Sequence, residues 1–233
     1  MDIQVVAFDT GGTVLDWHGG LVNELTGIDC WQTIRFDRHE FVNTWRRKAL
    51  QKIIGNIKPE FNMDHAHLVS LRETISTFDL PLPNDDDLAR ICNGWHRLRA
   101  WSDFLPAQEK LRKYLPVISF TMLSTALVMN VSRSNGIYWD AIISCEMIGV
   151  YKPKPEAYRM TARWLGIAPE NILMVACHNF DLNAAQDTGF RTAFIRRPNE
   201  WGPAGPPDPE PNRTYDHVCD DFDGLVAEVM GHK

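Results

Sequence analysis

Residues 3–17, IQVVAFDTGGTVLDW, carry the strongest indication of the fold in this chain. It opens with an apolar run of strand length, Ile3 to Phe8, which is rich in β-branched side chains and ends at Asp9. Such a run is typical of a strand buried on both faces of a parallel sheet. Because ligands bind at the carboxyl ends of these strands, the pattern predicts a site at Asp9, although a turn or helix-capping role fits this residue equally well. Gly11 and Gly12 are predicted to supply the unusual dihedral angles that a sharp turn needs, and they would let backbone N–H groups approach an anion.

The pattern changes after this first strand. Between residues 17 and 99 strand-like runs are absent, and helical patterns occupy residues 39–54, 65–78 and 85–101. The three aspartates at 85–87 predict an N-terminal cap cluster for the last of these helices. We therefore predict a helical domain inserted at 17–99.

Strands alternate with helices from about residue 100 onward. The predicted strands are 116–120, 141–144, 172–175, 191–195 and 217–219, and the predicted helices are 103–114, 123–134, 155–165, 181–188 and a final helix ending at Met230. This alternation indicates βαβ units and a parallel sheet covered on both faces. The predicted fold class is α/β, with a core formed by residues 1–16 plus 100–233.

The composition narrows the classes of partner. A net charge of −6 does not indicate the basic surface that nucleic-acid-binding proteins have. With this overall charge, an anionic substrate needs positive charge close to its binding site. No run reaches transmembrane length, which predicts no membrane partner. The five cysteines are scattered and odd in number, as expected of reduced thiols in a cytoplasmic protein. His65 and His67 lie two residues apart on a polar stretch, a pattern more often solvated than metal-bound.

Four motifs, in the right order, resemble those of the haloacid dehalogenase (HAD) superfamily. Residues 8–16, FDTGGTVLD, resemble the first motif, and the strand Val117–Thr121 resembles the second. Tyr151-Lys152-Pro153 resembles the third, and the strand Ile172–Val175 leading to Asp181 resembles the fourth. The resemblance covers essentially the whole chain. It implies a Rossmann-like core, a helical cap that closes over the active site, and no cofactor.

The same resemblance implies a set of catalytic residues. Asp9 would attack a carbon atom and form an aspartyl ester, which water then hydrolyses. Lys152 would keep Asp9 and Asp181 ionised. Thr13, in a catalytic role, and Thr121, in a substrate-binding role, would donate hydrogen bonds to the Asp9 carboxylate or to a substrate carboxylate.

A phosphatase of this superfamily would carry further acidic residues. Its general acid would stand at Gly11 and one of its magnesium ligands at Cys177, and neither position is acidic here. We therefore expect no metal, and the chain resembles the type II, L-2-haloacid dehalogenase-like branch. Gly11 and Met122 also depart from the usual dehalogenase pattern, which implies a differently shaped pocket.

The resemblance extends to the substrate-binding side chains. Arg46, on a cap helix, resembles the arginine that reaches the leaving halide and the substrate carboxylate, whereas we expect Arg47 to face solvent. Trp45 and Phe180 are predicted to wall an apolar pocket. Tyr158, in the helix after the third motif, is predicted to contribute to substrate binding.

His178 is the most informative departure from the better-known dehalogenases, which carry Asn there. The stretches around His178 and at 197–203, RPNEWGP, resemble a subgroup that includes haloacetate dehalogenases and cis-epoxysuccinate hydrolase. Because its ordinary pKa is near neutral, His178 would activate water together with Asp181.

The leading hypothesis is a hydrolase that converts a 2-haloalkanoic acid to a 2-hydroxy acid and halide. The alternative is a ring-opening hydrolase of cis-epoxysuccinate or azetidine-2-carboxylate type. A phosphatase and a non-catalytic binding protein are less favoured hypotheses. The expected partner is a small-molecule carboxylate. Relatives in the family are often homodimers, which makes a homodimer the expected assembly.

Overall fold

A computed structural model describes residues 3–55 and 62–231, and its centre is a six-stranded parallel sheet. The strands of the described residues are β1 Val5–Phe8, β2 Leu15–Asp16, β3 Arg99–Ala100, β4 Val117–Thr121, β5 Ala141–Ser144, β6 Ile172–Ala176, β7 Arg191–Ile195 and β8 His217–Cys219. The sheet order is β5-β4-β1-β6-β7-β8, and β2 pairs with β3 in antiparallel fashion. The predicted α/β class and all five predicted later strands are confirmed.

Helices cover the sheet and form the segment between β2 and β3. The α-helices are α1 Trp17–Glu24, α2 Arg38–Gly55, α3 Met63–Thr77, α4 Asp85–Cys92, α5 Phe104–Leu111, α6 Thr125–Asn135, α7 Cys145–Ile148, α8 Pro155–Leu165, α9 Asn179–Asp187 and α10 Phe222–Gly231. We call the elements between residues 17 and 97 the helical segment. The division into an inserted domain and a core stays a prediction.

The first strand is buried as its sequence predicts. All four residues of β1 are buried, and β1 pairs in parallel with β4 on one side and β6 on the other. Phe8 packs edge-on against Phe104 and Phe222, with ring centroids 5.4 and 5.5 Å apart. Burial of each such side chain stabilises the fold by about 1.5–3 kcal/mol. This packing fixes the strand that carries Asp9 at its end.

Two local predictions need correction. The predicted helix 85–101 ends at Cys92 and continues as a 3₁₀ helix, Asn93–Arg97, because Asn and Gly at 93 and 94 are weak helix formers. Its cap is Asn84, whose side chain accepts from the Asp87 backbone N–H at 2.8 Å. The three aspartates instead occupy the first turn, where the helix dipole favours negative charge.

The turn after β1 requires only one of its two glycines. Gly12 has a φ of +93°, and a Cβ there would overlap the Glu200 carboxylate. Gly11, by contrast, has no left-handed conformation, and a Cβ there would make ordinary contact with Leu123. The prediction that both glycines supply unusual dihedral angles is wrong for Gly11.

Other features of the chain concern its thiols and its helices. All five cysteines are free. Across residues 3–55 and 62–231, no helix combines the length and the apolar character needed to cross a bilayer.

Candidate active site

Asp9 lies at the carboxyl end of the central strand and is 5% exposed. Thr13 donates from Oγ1 to Asp9 Oδ2 at 2.9 Å, and Lys152 donates from Nζ to Oδ1 at 3.4 Å. His178 Nδ1 lies 3.2 Å from Oδ2, at ion-pair distance but without the alignment of a hydrogen bond. Both carboxylate oxygens are therefore surrounded by donors and positive charge.

These neighbours keep Asp9 ionised. Burial alone would raise the pKa of the Asp9 carboxyl. Lys152 and His178, together with the hydroxyl of Thr13, outweigh burial and hold this pKa well below its ordinary value. A carboxylate that is anionic yet partly desolvated is suited to nucleophilic attack.

Lys152 is held in place by a second carboxylate. Its Nζ donates to Asp181 Oδ2 at 2.7 Å and to the Phe120 carbonyl oxygen at 2.7 Å. Tyr158 donates from its hydroxyl to the other oxygen of Asp181, Oδ1, at 2.6 Å. Burial lowers the pKa of Lys152, but Asp181 and Asp9 outweigh it and raise that pKa, so the ammonium stays charged. Both oxygens of Asp181 are therefore engaged, one by the Lys152 ammonium and the other by the Tyr158 hydroxyl.

His178 lies between two carboxylates, and sequence reasoning missed one of them. Its Nε2 is 3.0 Å from Oε1 of Glu200, which is 1% exposed. Because a carboxylate only accepts hydrogen bonds, Nε2 carries the shared hydrogen, and Nδ1 is the nitrogen that faces Asp9. Glu200 also accepts from Trp17 Nε1 at 2.9 Å and from Cys177 Sγ at 3.6 Å. Its place within RPNEWGP was the one sequence signal that could have found it.

The charge state of His178 follows from these neighbours. Burial favours the neutral imidazole, but Cys177, Glu200 and Asp9 outweigh it and raise the pKa of His178 well above its ordinary value. Burial alone would likewise raise the pKa of the Glu200 carboxyl. The charge of His178 and the hydrogen bonds from His178 and Trp17 outweigh burial and lower that pKa. With Asp9 ionised, His178 is therefore an imidazolium.

Arg46 is a buried cation whose hydrogen bonds are incomplete. It is 4% exposed, and its guanidinium carbon lies 5.6 and 5.5 Å from the ring centroids of Trp17 and Trp95. Within the described residues, Nε and Nη1 have no hydrogen-bond partner. Since unmet buried donors are costly, this guanidinium favours an anionic ligand. Arg47 next to it is about half exposed, as the sequence predicts, and it pairs with Glu40.

Two spaces that share part of their lining open at these residues. We call the smaller one the catalytic cavity; its lining residues are Asp9, Gly11, Arg46, Met63, Thr121, Met122, Leu123 and His178. The larger space, the outer pocket, has a volume of about 640 Å³ and shares Arg46, Met122 and His178 with the catalytic cavity. Arg46 and Asp9 thus line the same cavity.

The predicted substrate-binding residues are not all brought to this cavity. Thr121 lines it, while its Oγ1 accepts from the Leu123 backbone N–H at 3.1 Å. Phe180 lines the outer pocket and stacks on His178, with centroids 5.5 Å apart. Trp45 is buried in the helical segment, where Nε1 donates to the His67 carbonyl oxygen, and it lines neither space. Tyr158 also lines neither and reaches the site only through Asp181.

One group of side chains in the described residues has metal-ligand spacing. Ligand atoms of Cys177, His178 and Glu200 lie within 4.8 Å of one another. A thiol and an imidazole are not the all-oxygen set that Mg²⁺ prefers, so the group does not fit the magnesium site of a phosphatase. Burial raises the pKa of the Cys177 thiol to about 11, which leaves it protonated and hydrogen-bonded to its neighbours.

Comparisons with known proteins agree with this geometry. A family model described as haloacid dehalogenase-like hydrolase matches residues 3–176. An (S)-2-haloacid dehalogenase of Pseudomonas fluorescens is 27% identical over 206 residues, covering 85% of this chain and 86% of that protein. The haloacetate dehalogenase H-2 of Moraxella sp. (strain B) is 24% identical over 204 residues, covering 84% of this chain and 86% of its own length.

Solved structures show the same relationship. A crystal structure of an L-2-haloacid dehalogenase superposes with a TM-score of 0.90 at 29% identity, covering 98% of this chain and 99% of that one. A defluorinating L-2-haloacid dehalogenase gives a TM-score of 0.90 at 29% identity, with 98% and 95% covered. This chain belongs to the haloacid dehalogenase-like hydrolase family.

Proposed function

We propose that this hydrolase is a metal-independent 2-haloacid dehalogenase, which converts an L-2-haloalkanoic acid to a 2-hydroxy acid and halide. One observation carries the proposal: an ionised Asp9 and an incompletely bonded Arg46 line the same small cavity. The relatives named (S)-2-haloacid dehalogenase support the choice of halide as the leaving group. The named relatives do not favour ring opening, and the site lacks the carboxylates of a phosphatase.

In the first step Asp9 attacks C2 of the substrate. A new C–O bond forms, the carbon–halogen bond breaks, and its electron pair leaves with the halide. Arg46 binds the substrate carboxylate and the departing halide, for which it offers unpaired donors. Lys152 and Thr13 hold the carboxylate of Asp9 in position for the attack.

In the second step water cleaves the ester. Esterification removes the negative charge of Asp9, so the pKa of His178 falls and the imidazolium releases its Nδ1 proton to solvent. Nδ1, which faces Asp9 and has no hydrogen bond, then takes a proton from water as the water oxygen bonds to the ester carbonyl carbon of Asp9. The bond between that carbon and the substrate oxygen breaks, and the substrate oxygen takes the remaining proton of the added water, which releases the 2-hydroxy acid and restores the Asp9 carboxylate. Glu200 holds the hydrogen on Nε2 and stabilises the imidazolium as it forms again. Because Asp181 is engaged with Lys152 and Tyr158, we assign its role to positioning Lys152.

Glu200→Gln tests this assignment of the water-activating pair. Loss of the carboxylate misorients His178 and destabilises its charged form, so we expect kcat to fall about 10²-fold or more. Because the negative charge that raises the His178 pKa is removed, the acid limb of the pH profile of kcat should move to lower pH. The matched control is Glu210→Gln, which changes an exposed carboxylate paired with Arg196. An acid limb that stays in place would show that Glu200 does not act through His178.

The reaction itself is tested by chloride release from L-2-chloropropionate in the presence and absence of EDTA. We expect turnover that chelation leaves unchanged, since no step requires a metal ion. Loss of activity in EDTA that Mg²⁺ restores would instead support a magnesium-dependent site of the phosphatase type. Turnover of cis-epoxysuccinate or azetidine-2-carboxylate, without chloride release from any haloacid, would favour ring opening instead.

The assembly and the location of the enzyme belong to the same proposal. We propose a homodimer in the cytoplasm, acting on a free small-molecule carboxylate. The free state of all five cysteines supports a reducing compartment.

A further inference from the structure

The outer pocket adjoins the site of attack, and its walls are mainly apolar. Leu50, Met122, Phe180, Trp201, Pro206 and Pro207 are the principal apolar side chains. Trp201 and Met122 are each 8% exposed, so these walls are part of the packed structure. Burying an apolar group against them would be favourable by the ordinary hydrophobic effect.

The size of this pocket exceeds the needs of the smallest haloacids. Its volume of about 640 Å³ falls within the range of pockets that enclose drug-sized ligands. Chloroacetate and 2-chloropropionate have only a handful of non-hydrogen atoms, so neither of them would fill a space of this size. The outer pocket is left for another part of a larger substrate.

The shared lining of the two spaces indicates which part of the substrate that is. Arg46, Met122 and His178 line both spaces, so a group on C2 of a substrate held by Arg46 beside Asp9 would point toward the outer pocket. Met122 stands at this junction with an unbranched thioether side chain, which suits contact with an apolar chain.

The charges around the outer pocket argue against a second carboxylate. Among the described lining residues, Arg47 pairs with Glu40, and Lys152 with Asp181. Arg46 is required for the reacting end of the substrate. Asp208, also in the lining, adds negative charge. A second anionic group would therefore lack a free cation here.

We infer that the preferred substrates are 2-halo monocarboxylic acids with an apolar substituent on C2, a medium-length alkyl chain or an aryl group, which occupies the outer pocket. This inference rests on the proposed function. Each methylene buried there is expected to increase kcat/KM by about fourfold until the pocket is filled.

The test measures chloride release from the L enantiomers of 2-chloropropionate, 2-chlorohexanoate, 2-chlorooctanoate and chlorosuccinate. We expect kcat/KM to rise with chain length, and chlorosuccinate to fall below 2-chloropropionate. Ala204→Trp, which fills the outer pocket, should reduce the ratio of kcat/KM for 2-chlorooctanoate to that for 2-chloropropionate by at least about tenfold. The matched control is Ala227→Trp on the exposed side of α10, which should leave this ratio unchanged.

Two other outcomes are distinguishable. A kcat/KM that is flat or falls with chain length, or that is highest for chlorosuccinate, would overturn the inference while chloride release from 2-chloropropionate upholds the proposed function. Failure to release chloride from every one of these acids would overturn the proposed function, and the inference with it.

Discussion

Replacing Asp9 by Asn is expected to reduce chloride release from L-2-chloropropionate by at least about 10⁴-fold. The neutral amide has almost the same shape as the carboxylate but lacks the charge that makes its oxygen a nucleophile. Lys152, His178 and Thr13, whose contacts hold the pKa of Asp9 low, would then surround an amide, and its oxygen is a far weaker nucleophile than that of a carboxylate. Steady-state halide release at saturating substrate measures the effect.

The matched control for this variant is Asp16→Asn. Asp16 caps α1 by accepting from the Gly19 backbone N–H at 2.8 Å, and Asn caps helices equally well, so activity should be retained. The melting temperature of each variant shows whether it is folded. If folded Asp9→Asn retained more than about one hundredth of the wild-type rate, Asp9 could not be the nucleophile.

Replacing His178 by Ala is expected to separate the two chemical steps. Formation of the ester needs Asp9 and Arg46, whereas its hydrolysis needs the base at Nδ1. We therefore expect a burst of one chloride per active site, followed by steady-state release slowed about 10²–10⁴-fold. Rapid-quench measurement of chloride with enzyme at high concentration resolves both phases.

His65→Ala is the matched control, because His65 is exposed and lies away from the cavity linings. It should show wild-type turnover. A His178→Ala variant that loses the burst itself, with Asp9 intact, would place His178 in the first step. That is the behaviour expected of a proton donor to a ring oxygen or nitrogen rather than of a base for water.

Much of the fold and part of the site could be predicted because their signals are local. The apolar run of β1 requires a strand buried on both faces, and the later strands β4 and β6 carry the same signal. The carboxyl ends of neighbouring parallel strands lie at the same edge of the sheet. Asp9, Thr121 and His178 lie at or just after the ends of three such strands, so they are expected to lie near one another whatever the conformation of the intervening loops.

Glu200 could not be predicted from such signals. It follows β7 in an irregular loop, and its contacts with Trp17 and His178 depend on how that loop folds back over the sheet. A glutamate in a loop normally indicates a solvated position. Its place within RPNEWGP is the sequence signal for it, and the structure adds that Gly12, which has no side chain, leaves room for the Glu200 carboxylate.

The directions in which neighbouring side chains of α2 point could likewise not be predicted from the sequence. Trp45 and Arg46 are neighbours on α2, and both are buried. Side chains of consecutive helical residues point in directions about 100° apart. Two neighbouring side chains of one helix can therefore both be buried and yet contact different parts of the protein. Arg46 reaches the catalytic cavity, whereas Trp45 packs against Trp95 inside the helical segment.

In the proposed mechanism Asp9 becomes covalently bound to the substrate. The most direct test is the intact mass of the His178→Ala variant after incubation with L-2-chloropropionate, followed by peptide mapping. We predict a mass increase equal to one propionate unit without chlorine, located on the peptide containing Asp9 and absent from the Asp9→Asn, His178→Ala double variant. An adduct on any other residue, or chloride release with no adduct at all, would contradict the mechanism proposed for this enzyme.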